Sequence, residues 1–369
     1  MKAKLFSFFL LLLFSGCAEK KSCPTVPKNV ILLISDGTGL SQISSAYFYK
    51  KSDVNYSRFQ HLGLITTSSS REDITDSAAS GTAFASGTKT YNGAIGVLED
   101  STQLENIVEI ASRKGVKTGV VATSSITHAT PASFYAHVTD RDFQEKIALQ
   151  LAKSEIDFFA GGGANFFNQR SDALNIIDTL TAHKFTIETS SLTSIEAIKS
   201  NQKQGFLLSN DGMPKMSEGR GDFLSKATML GIEFLHQNET PFFIMSEGSQ
   251  IDWAGHDNDT AYLISEVIDF DELIGAVLDF AAEDGETLVV VTSDHETGGF
   301  TLSGKNYTTK EGEVYSSYSK LEPKFSTGGH SATLIPVFAY GPGAEHFSGV
   351  YDNTDIFRKI MKLTGWDKN

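Results

Sequence analysis

Apolar and polar positions along the chain fall into two alternating textures. Short runs such as NVILLIS (29–35), GVKTGVVATS (115–124), TPFFIMS (240–246), ETLVVVTS (286–293) and TLIPVFAYG (333–341) are apolar with little alternation. Strands covered on both faces read this way. Between them lie LENIVEIASRKG (104–115), DFQEKIALQLAKSE (142–155) and a long stretch at 260–285. In the last of these, apolar residues recur at spacings of three and four over several turns, the signature of an amphipathic helix. Such alternation predicts an α/β fold, a three-layer α/β/α sandwich around a central, mostly parallel sheet. No repeat, low-complexity tract or Pro/Gly-rich linker divides residues 29–369, so they are expected to form a single domain.

The residues with chemical potential sit at the strand ends. Asp36, Gly37 and Gly39 come after the first run, and Thr127, His128 and Thr130 after the second. Glu247, Asp252 and His256 come after the third; Asp294, His295 and Glu296 come after the fourth; His330 immediately precedes the fifth. Ligands of open α/β sheets bind outside the carboxyl ends of strands. Singly, each residue has a plain explanation: Asp as a turn or cap residue, His as a hydrogen-bonded core or surface residue, Asp252 and His256 as one polar helix face. Together they would crowd carboxylates at one edge, which raises pKa values unless cations neutralise them. Histidine nitrogen with carboxylate oxygen suits zinc, and an oxygen-rich set with Glu247 and Thr130 suits a harder ion such as Mg²⁺. The residue types alone do not say which ligands share an ion.

Composition narrows the function. The chain has 369 residues, 40% hydrophobic and 21% charged, with a formal net charge of −14 and no long basic run. A nucleic-acid role is not expected, and an anionic substrate would have to be drawn by local cations against the overall field. Residues 1–16 read as a lipoprotein-type signal peptide: Lys2 and Lys4, an apolar run from Leu5 to Phe14, then small residues before Cys17. Phe14 stands where a leucine is usual, which leaves a plain cleaved signal as the alternative. Residues 17–28 read as a tether. The protein is therefore expected to be exported to the periplasm or cell envelope, with Cys17 acylated as its membrane attachment. Cys17 and Cys23 are the only cysteines, so residues 29–369 contain no disulfide.

One segment, DITDSAASGTAFASGTKTYNGAIG from Asp73, surrounds Ser77 with Ala, Gly, Ser and Thr. Either a buried helix packs closely there, or Ser77 is a nucleophile at a helix start, where bulk would block a substrate. With ISDGTG, HATPASFYAHVTDR, SEGSQIDWAGH, TSDHETGG and TGGHSAT, it resembles the motifs of the alkaline phosphatase family, in that family's order. The resemblance extends from Asn29 to the C-terminus. It implies hydrolysis of phosphate monoesters to alcohol and phosphate at alkaline pH, through a phosphoserine on Ser77, with Arg141 gripping two phosphate oxygens. It implies one zinc on Asp252, His256 and His330, and a second on Asp36, Asp294 and His295. A magnesium ion would lie on Asp36, Thr130 and Glu247, with His128 behind a water. Family habit implies a homodimer. His128 and Trp253 stand where the best-known bacterial form has Asp and Lys, and imidazole there favours softer ions than Mg²⁺. Trp253 also reads simply as packing beside the metals.

The rivals are a phosphodiesterase of the same superfamily, a sulfatase and a non-catalytic lipid-anchored phosphate- or metal-binding protein. Arg141 favours a monoester dianion, and the Cys/Ser-x-Pro-x-Arg setting of a sulfatase is absent. Residues 301–329 are polar and tyrosine-rich, and read as a surface insertion. It is either a mobile loop or a substrate rim involving Tyr307, Tyr315 or Tyr318.

Overall fold

The computed structural model describes residues 26–199 and 202–367. The expected signal peptide (1–16) and most of the expected tether (17–28), including Cys17, lie outside the described residues. Among the described residues, fourteen strands run in chain order: β1 Asn29–Ser35, β2 His61–Thr66, β3 Lys117–Ser125, β4 Phe158–Gly162, β5 Phe185–Glu188, β6 Lys203–Leu207, β7 Phe242–Gly248, β8 Thr287–Thr292, β9 Glu296–Thr297, β10 Thr301–Thr308, β11 Val314–Lys324, β12 His330–Ser331, β13 Ile335–Tyr340 and β14 Gly349–Asp352.

Ten of them make one sheet in the order β14-β2-β13-β8-β1-β7-β3-β4-β6-β5. All pairings in it are parallel except those of β13, which runs against both β8 and β2. Every residue of β1, β7 and β8 is buried, which is why these runs carry no alternation. Each face of the sheet has its own apolar core, one including Val30, Leu32 and Phe134, the other Ile31, Leu33 and Phe270. Alternate residues of β1 thus feed opposite layers. The expected three-layer, mostly parallel α/β architecture is the one found.

The long helix Thr260–Asp284 shows how locally the layers are specified. Asp259 caps it by accepting from the Ala261 and Tyr262 N–H groups, and Gly285, at φ 73°, ends it. Its buried face runs Leu263, Val267, Phe270, Ile274, Val277 and Ala281. At the expected insertion, β10 and β11 form an antiparallel hairpin apart from the main sheet. Its Tyr307 and Tyr315 rings stack at 5.6 Å, and Tyr318 is 91% exposed. The carboxyl ends of β1, β3, β7 and β8, four neighbours at the centre of the sheet, set up the site.

Candidate active site

Asp36 comes directly after β1, Glu247 lies near the end of β7, and Asp294 and His295 come after β8. All four are fully buried. Gly37, at φ 71°, turns the chain away from β1 so closely that a Cβ there would lie 2.6 Å from the Asp252 Cα. Asp252 and His256 project from the short helix Gln250–His256 after β7. The two-residue pairing of β9 with β12 then sets His330 opposite Thr297. Residues distant in sequence are so brought to one point.

Ser77 begins the helix Ser77–Ser86, capped by Asp76, whose Oδ1 accepts the Ala79 N–H at 2.9 Å. The helix is buried from Ser77 to Ala85, and a Cβ on Gly81 would meet the Ser133 Oγ at 2.7 Å. Close packing against the short helix Ala129–Ala132 therefore holds, and so does the helix-start position. The Ser77 Oγ lies 3.3 Å from the His295 Nε2. Free N–H groups at a helix N-terminus favour an anion there.

Three groups of ligand atoms each fall within 4.8 Å: Asp252, His256 and His330; Asp36, Asp294 and His295; and Asp36, His128 and Glu247. Hydrogen bonds decide which imidazole nitrogens face inward. The His256 Nδ1 donates to the Gly328 carbonyl at 2.7 Å, and the His330 Nδ1 to the Thr75 carbonyl at 2.9 Å. Their Nε2 atoms then meet at 3.2 Å, and lie 3.4 and 3.7 Å from the Asp252 Oδ1. Two lone pairs and a carboxylate pointed at one spot are the donor set that a cation between them would satisfy. The Thr297 hydroxyl donates to the Asp252 Oδ1 at 2.5 Å and accepts from the His295 Nδ1 at 3.2 Å. The His295 Nε2 is thereby left facing the Asp294 Oδ2 at 3.2 Å and the Asp36 Oδ1 at 3.7 Å.

Unpartnered buried atoms point the same way. Both Asp36 oxygens, the Asp294 Oδ2, the Glu247 Oε1, the Thr130 Oγ1 and the His128 Nδ1 have no hydrogen-bond partner among the described residues. Buried polar atoms are rarely orphaned, and six around one point are what divalent ions and their water would satisfy. Burial, and next the Asp294 charge, push the Asp36 carboxyl well above the carboxylate range. Burial raises Glu247 to about 7, and burial with the Arg141 charge lowers His128 to about 4. His128 is therefore neutral at working pH. The donor set fits divalent metals.

Arg141 borders the cluster through His128. Its Nη1 donates to the Asp76 Oδ2 at 2.9 Å and its Nη2 to the His128 Nε2 at 3.3 Å. Trp253 packs edge-on to His128, with ring centroids 6.0 Å apart, and a Cβ on Gly212 would meet the indole at 2.6 Å. Of the residues singled out from the sequence, Asp36, His128, Glu247, Asp252, His256, Asp294, His295 and His330 fall into these groups, with Ser77 and Arg141 beside them.

Some functional neighbours escaped sequence reasoning. Asp76 caps the Ser77 helix and also holds Arg141; its place before the small-residue run was the available signal. Thr297 bridges two ligand groups. Ser249 and Ser124 donate to the Glu247 Oε2 at 2.5 and 3.3 Å. Glu296, at the same edge, points elsewhere: it accepts from Gln42, from the Phe300 N–H and, closely, from Ser331, tying the Asp36 and His330 segments together.

The alkaline phosphatase family model matches residues 27–319. Alkaline phosphatase 3 of Bacillus subtilis is 34% identical over 94% of this chain and 91% of its own. The alkaline phosphatase of the Antarctic bacterium TAB5 is 60% identical, with a TM-score of 0.91, covering 93% of this chain and 99% of that one. A variant of it, with aspartate replacing a histidine and magnesium bound in its M3 site, matches at 59% identity and a TM-score of 0.92, with the same coverage. With this breadth of similarity and this gathering of ligands, the chain belongs to the alkaline phosphatase family and is a metal-dependent phosphomonoester hydrolase.

Proposed function

We propose that Ser77 is the nucleophile, that Arg141 binds the phosphoryl oxygens, and that two zinc ions and a third, magnesium-type ion occupy the three ligand groups. The observation that carries this reading is the Ser77 hydroxyl, 3.3 Å from the His295 Nε2 at a capped helix start, beside the Asp36–Asp294–His295 group. Asp252, His256 and His330 would hold one zinc, Asp36, Asp294 and His295 the other, and Asp36, Thr130 and Glu247 the third ion. With Arg141 donating to its Nε2, a neutral His128 carries its proton on Nδ1, which suits a place behind a water on that ion. The magnesium in the TAB5 variant's M3 site supports a third ion here. When bound, the ions make the serine alkoxide accessible and neutralise the departing oxygen.

The residues' own contributions arise from their positions. Ser77 Oγ attacks phosphorus; the Oγ–P bond forms, the ester P–O bond breaks, and the alcohol leaves with a proton. The helix N–H groups behind Ser77 receive the phosphoryl oxygens. Arg141, anchored through Nη1 on Asp76, offers its remaining N–H groups to two of them, a fork matched to a monoester dianion. Water then cleaves the Oγ–P bond and restores Ser77.

The test is turnover of a chromogenic phosphomonoester at about pH 7 to 10, before and after chelation, with Zn²⁺ and Mg²⁺ restored separately. Ser77→Ala should abolish nearly all turnover, and acid-quenched wild type should carry a phosphoryl group on the Ser77 peptide. Full activity of that variant, or indifference to chelator, refutes the reading. From the amino-terminal pattern and Cys17 we infer an exported, lipid-anchored protein, and from family habit a homodimer. The mass of the mature N-terminal peptide and the sedimentation mass check them.

A further inference from the structure

His137 lies four residues before Arg141 and belongs to none of the ligand groups. Its ring is 9% exposed and is held at both nitrogens. The Nδ1 is 2.8 Å from the Gly96 carbonyl oxygen, and the Nε2 is 3.1 Å from the Glu109 Oε1. A carbonyl only accepts, and Glu109 is also an acceptor at its other oxygen, which takes the Asn106 N–H at 2.9 Å. Both ring nitrogens therefore face acceptors, an arrangement that only the doubly protonated imidazolium satisfies. Gly96, at φ 60°, makes the approach feasible: a Cβ there would lie 2.5 Å from the Ala136 carbonyl oxygen and 2.8 Å from the His137 Nδ1.

The segments this ring fastens lead to the phosphate site. Ile95 and Val138 exchange backbone hydrogen bonds at 2.9 Å, and the Arg141 N–H donates to the Gly93 carbonyl at 2.8 Å. The Gly93 N–H in turn donates to the Asp76 Oδ2, the oxygen that also takes the Arg141 Nη1. Residues 93–96 and 137–141 are thus one short ladder with Arg141 and Asp76 at one end and His137 at the other. Gln150 clamps the His137 backbone through both its N–H and its carbonyl.

We propose that His137, as an imidazolium bridging Gly96 and Glu109, is a positioning residue that sets the placement of Arg141 and makes phosphate affinity depend on pH. This rests on the reading that Arg141 binds the phosphoryl group. Glu109 and Arg113 of the helix Ile107–Arg113 face the ring's groove, together with Glu105 and Glu155, and Arg113 is itself paired with Glu105. Burial lowers the affinity of His137 for its proton, but the hydrogen bonds to Glu109 and Gly96 outweigh it, and the net shift is upward from 6.5. The bridge is complete at low pH and is lost as pH rises through that raised value. The Nε2 lone pair then confronts Glu109, the ladder slackens and phosphate is held less tightly.

The experiment uses the metal-loaded enzyme, with inorganic phosphate as competitive inhibitor, from about pH 6.5 to about pH 10. In His137→Leu the phosphate Ki and the KM should rise roughly tenfold at the acidic end, with the loss concentrated there rather than in kcat, and should converge with wild type at the alkaline end. Glu109→Gln, whose amide can donate to a neutral Nε2, should flatten the pH dependence of the phosphate Ki. Ring ¹⁵N shifts of wild type should show both His137 nitrogens protonated at the acidic end of this range. A His137→Leu to wild-type ratio that is unity, or constant across pH, overturns the proposal; a constant ratio would mark a merely structural residue. If His137→Leu does not fold, Glu109→Gln and the ring shifts decide. Arg141→Ala separates the two readings. Unchanged Ki in that variant overturns the phosphate assignment itself, whereas weakened Ki there with no effect of His137→Leu overturns only the positioning role.

Discussion

Replacing Thr297 by valine removes one hydroxyl and leaves the volume almost unchanged, so no cavity enters the account. The hydroxyl is fully buried, donates to the Asp252 Oδ1 at 2.5 Å and accepts from the His295 Nδ1 at 3.2 Å. Losing a hydrogen bond to a charged acceptor costs about 1.5–3 kcal/mol, and stranding a buried N–H about 1–3 kcal/mol. Together these set a ceiling of about 6 kcal/mol, reduced by whatever rotation of His295 restores. The measured range for lost partners behind metal ligands is about 10–100-fold in affinity, equivalent to about 1.4–2.8 kcal/mol. Because Thr297 serves ligands of two different groups, the upper end is expected, about 100-fold weaker zinc binding. Competition against a zinc chelator of known affinity measures it, and turnover against free zinc gives a second reading. Thr297→Ser keeps the hydroxyl and should remain close to wild type. Valine and serine variants alike in zinc affinity, or a valine variant within twofold of wild type, would refute the assignment of the imidazole tautomer.

Other parts of the structure give three further outcomes. Gly37→Ala would place a methyl 2.6 Å from the Asp252 Cα at a left-handed backbone position, so both zinc affinity and turnover should collapse, read by metal content and activity of the purified variant. Arg220 is buried against Glu266 and Asp269 and donates to the Pro214 carbonyl; Arg220→Met leaves two buried carboxylates unpaired and should lower unfolding stability by about 3–5 kcal/mol, measured in urea. Burial raises Glu247 from 4.5 to about 7, so the folded state holds a proton that the unfolded chain has already released; the metal-free protein should lose stability, by roughly 3 kcal/mol, as pH rises from about 4.5 to about 7. A flat melting temperature over that window in chelator would contradict it.

How much of this was legible in the sequence depends on where each signal resides. β1, β3, β7 and β8 were visible because burial on both faces imposes a dense apolar run, whatever the partner strand. β5, with a half-exposed pattern, and β4, which ends in glycines, offer no such run. The reversed direction of β13 could not be read at all, because periodicity is the same in both directions. The candidate metal ligands stood out because their side chains need no partner to be recognised as donors. Thr297, Ser249 and Asp76 did not, since a hydroxyl or a capping carboxylate acquires its role only from the group it meets. Glu296 shows the converse: it stands at the right edge, but its oxygens are consumed by Gln42, Phe300 and Ser331.

Charge balance joins the acidic chain to an anionic substrate. Asp76 is paired with Arg141, which leaves Asp36, Asp252, Asp294 and Glu247 as the site's carboxylates. The four histidines contribute no charge when they act as neutral donors. Two divalent ions cancel the four negative charges but leave nothing over to attract a dianion. A third ion leaves an excess of two positive charges, equal and opposite to those of a phosphate monoester. The overall charge of −14 then matters little at the site, because the attraction operates within a few ångströms and the remaining surface charges are screened. On this account the third ion acts on substrate affinity as well as on chemistry. Loading the site with zinc alone at two ions per chain should leave KM high, and adding magnesium should lower it before kcat has reached its limit.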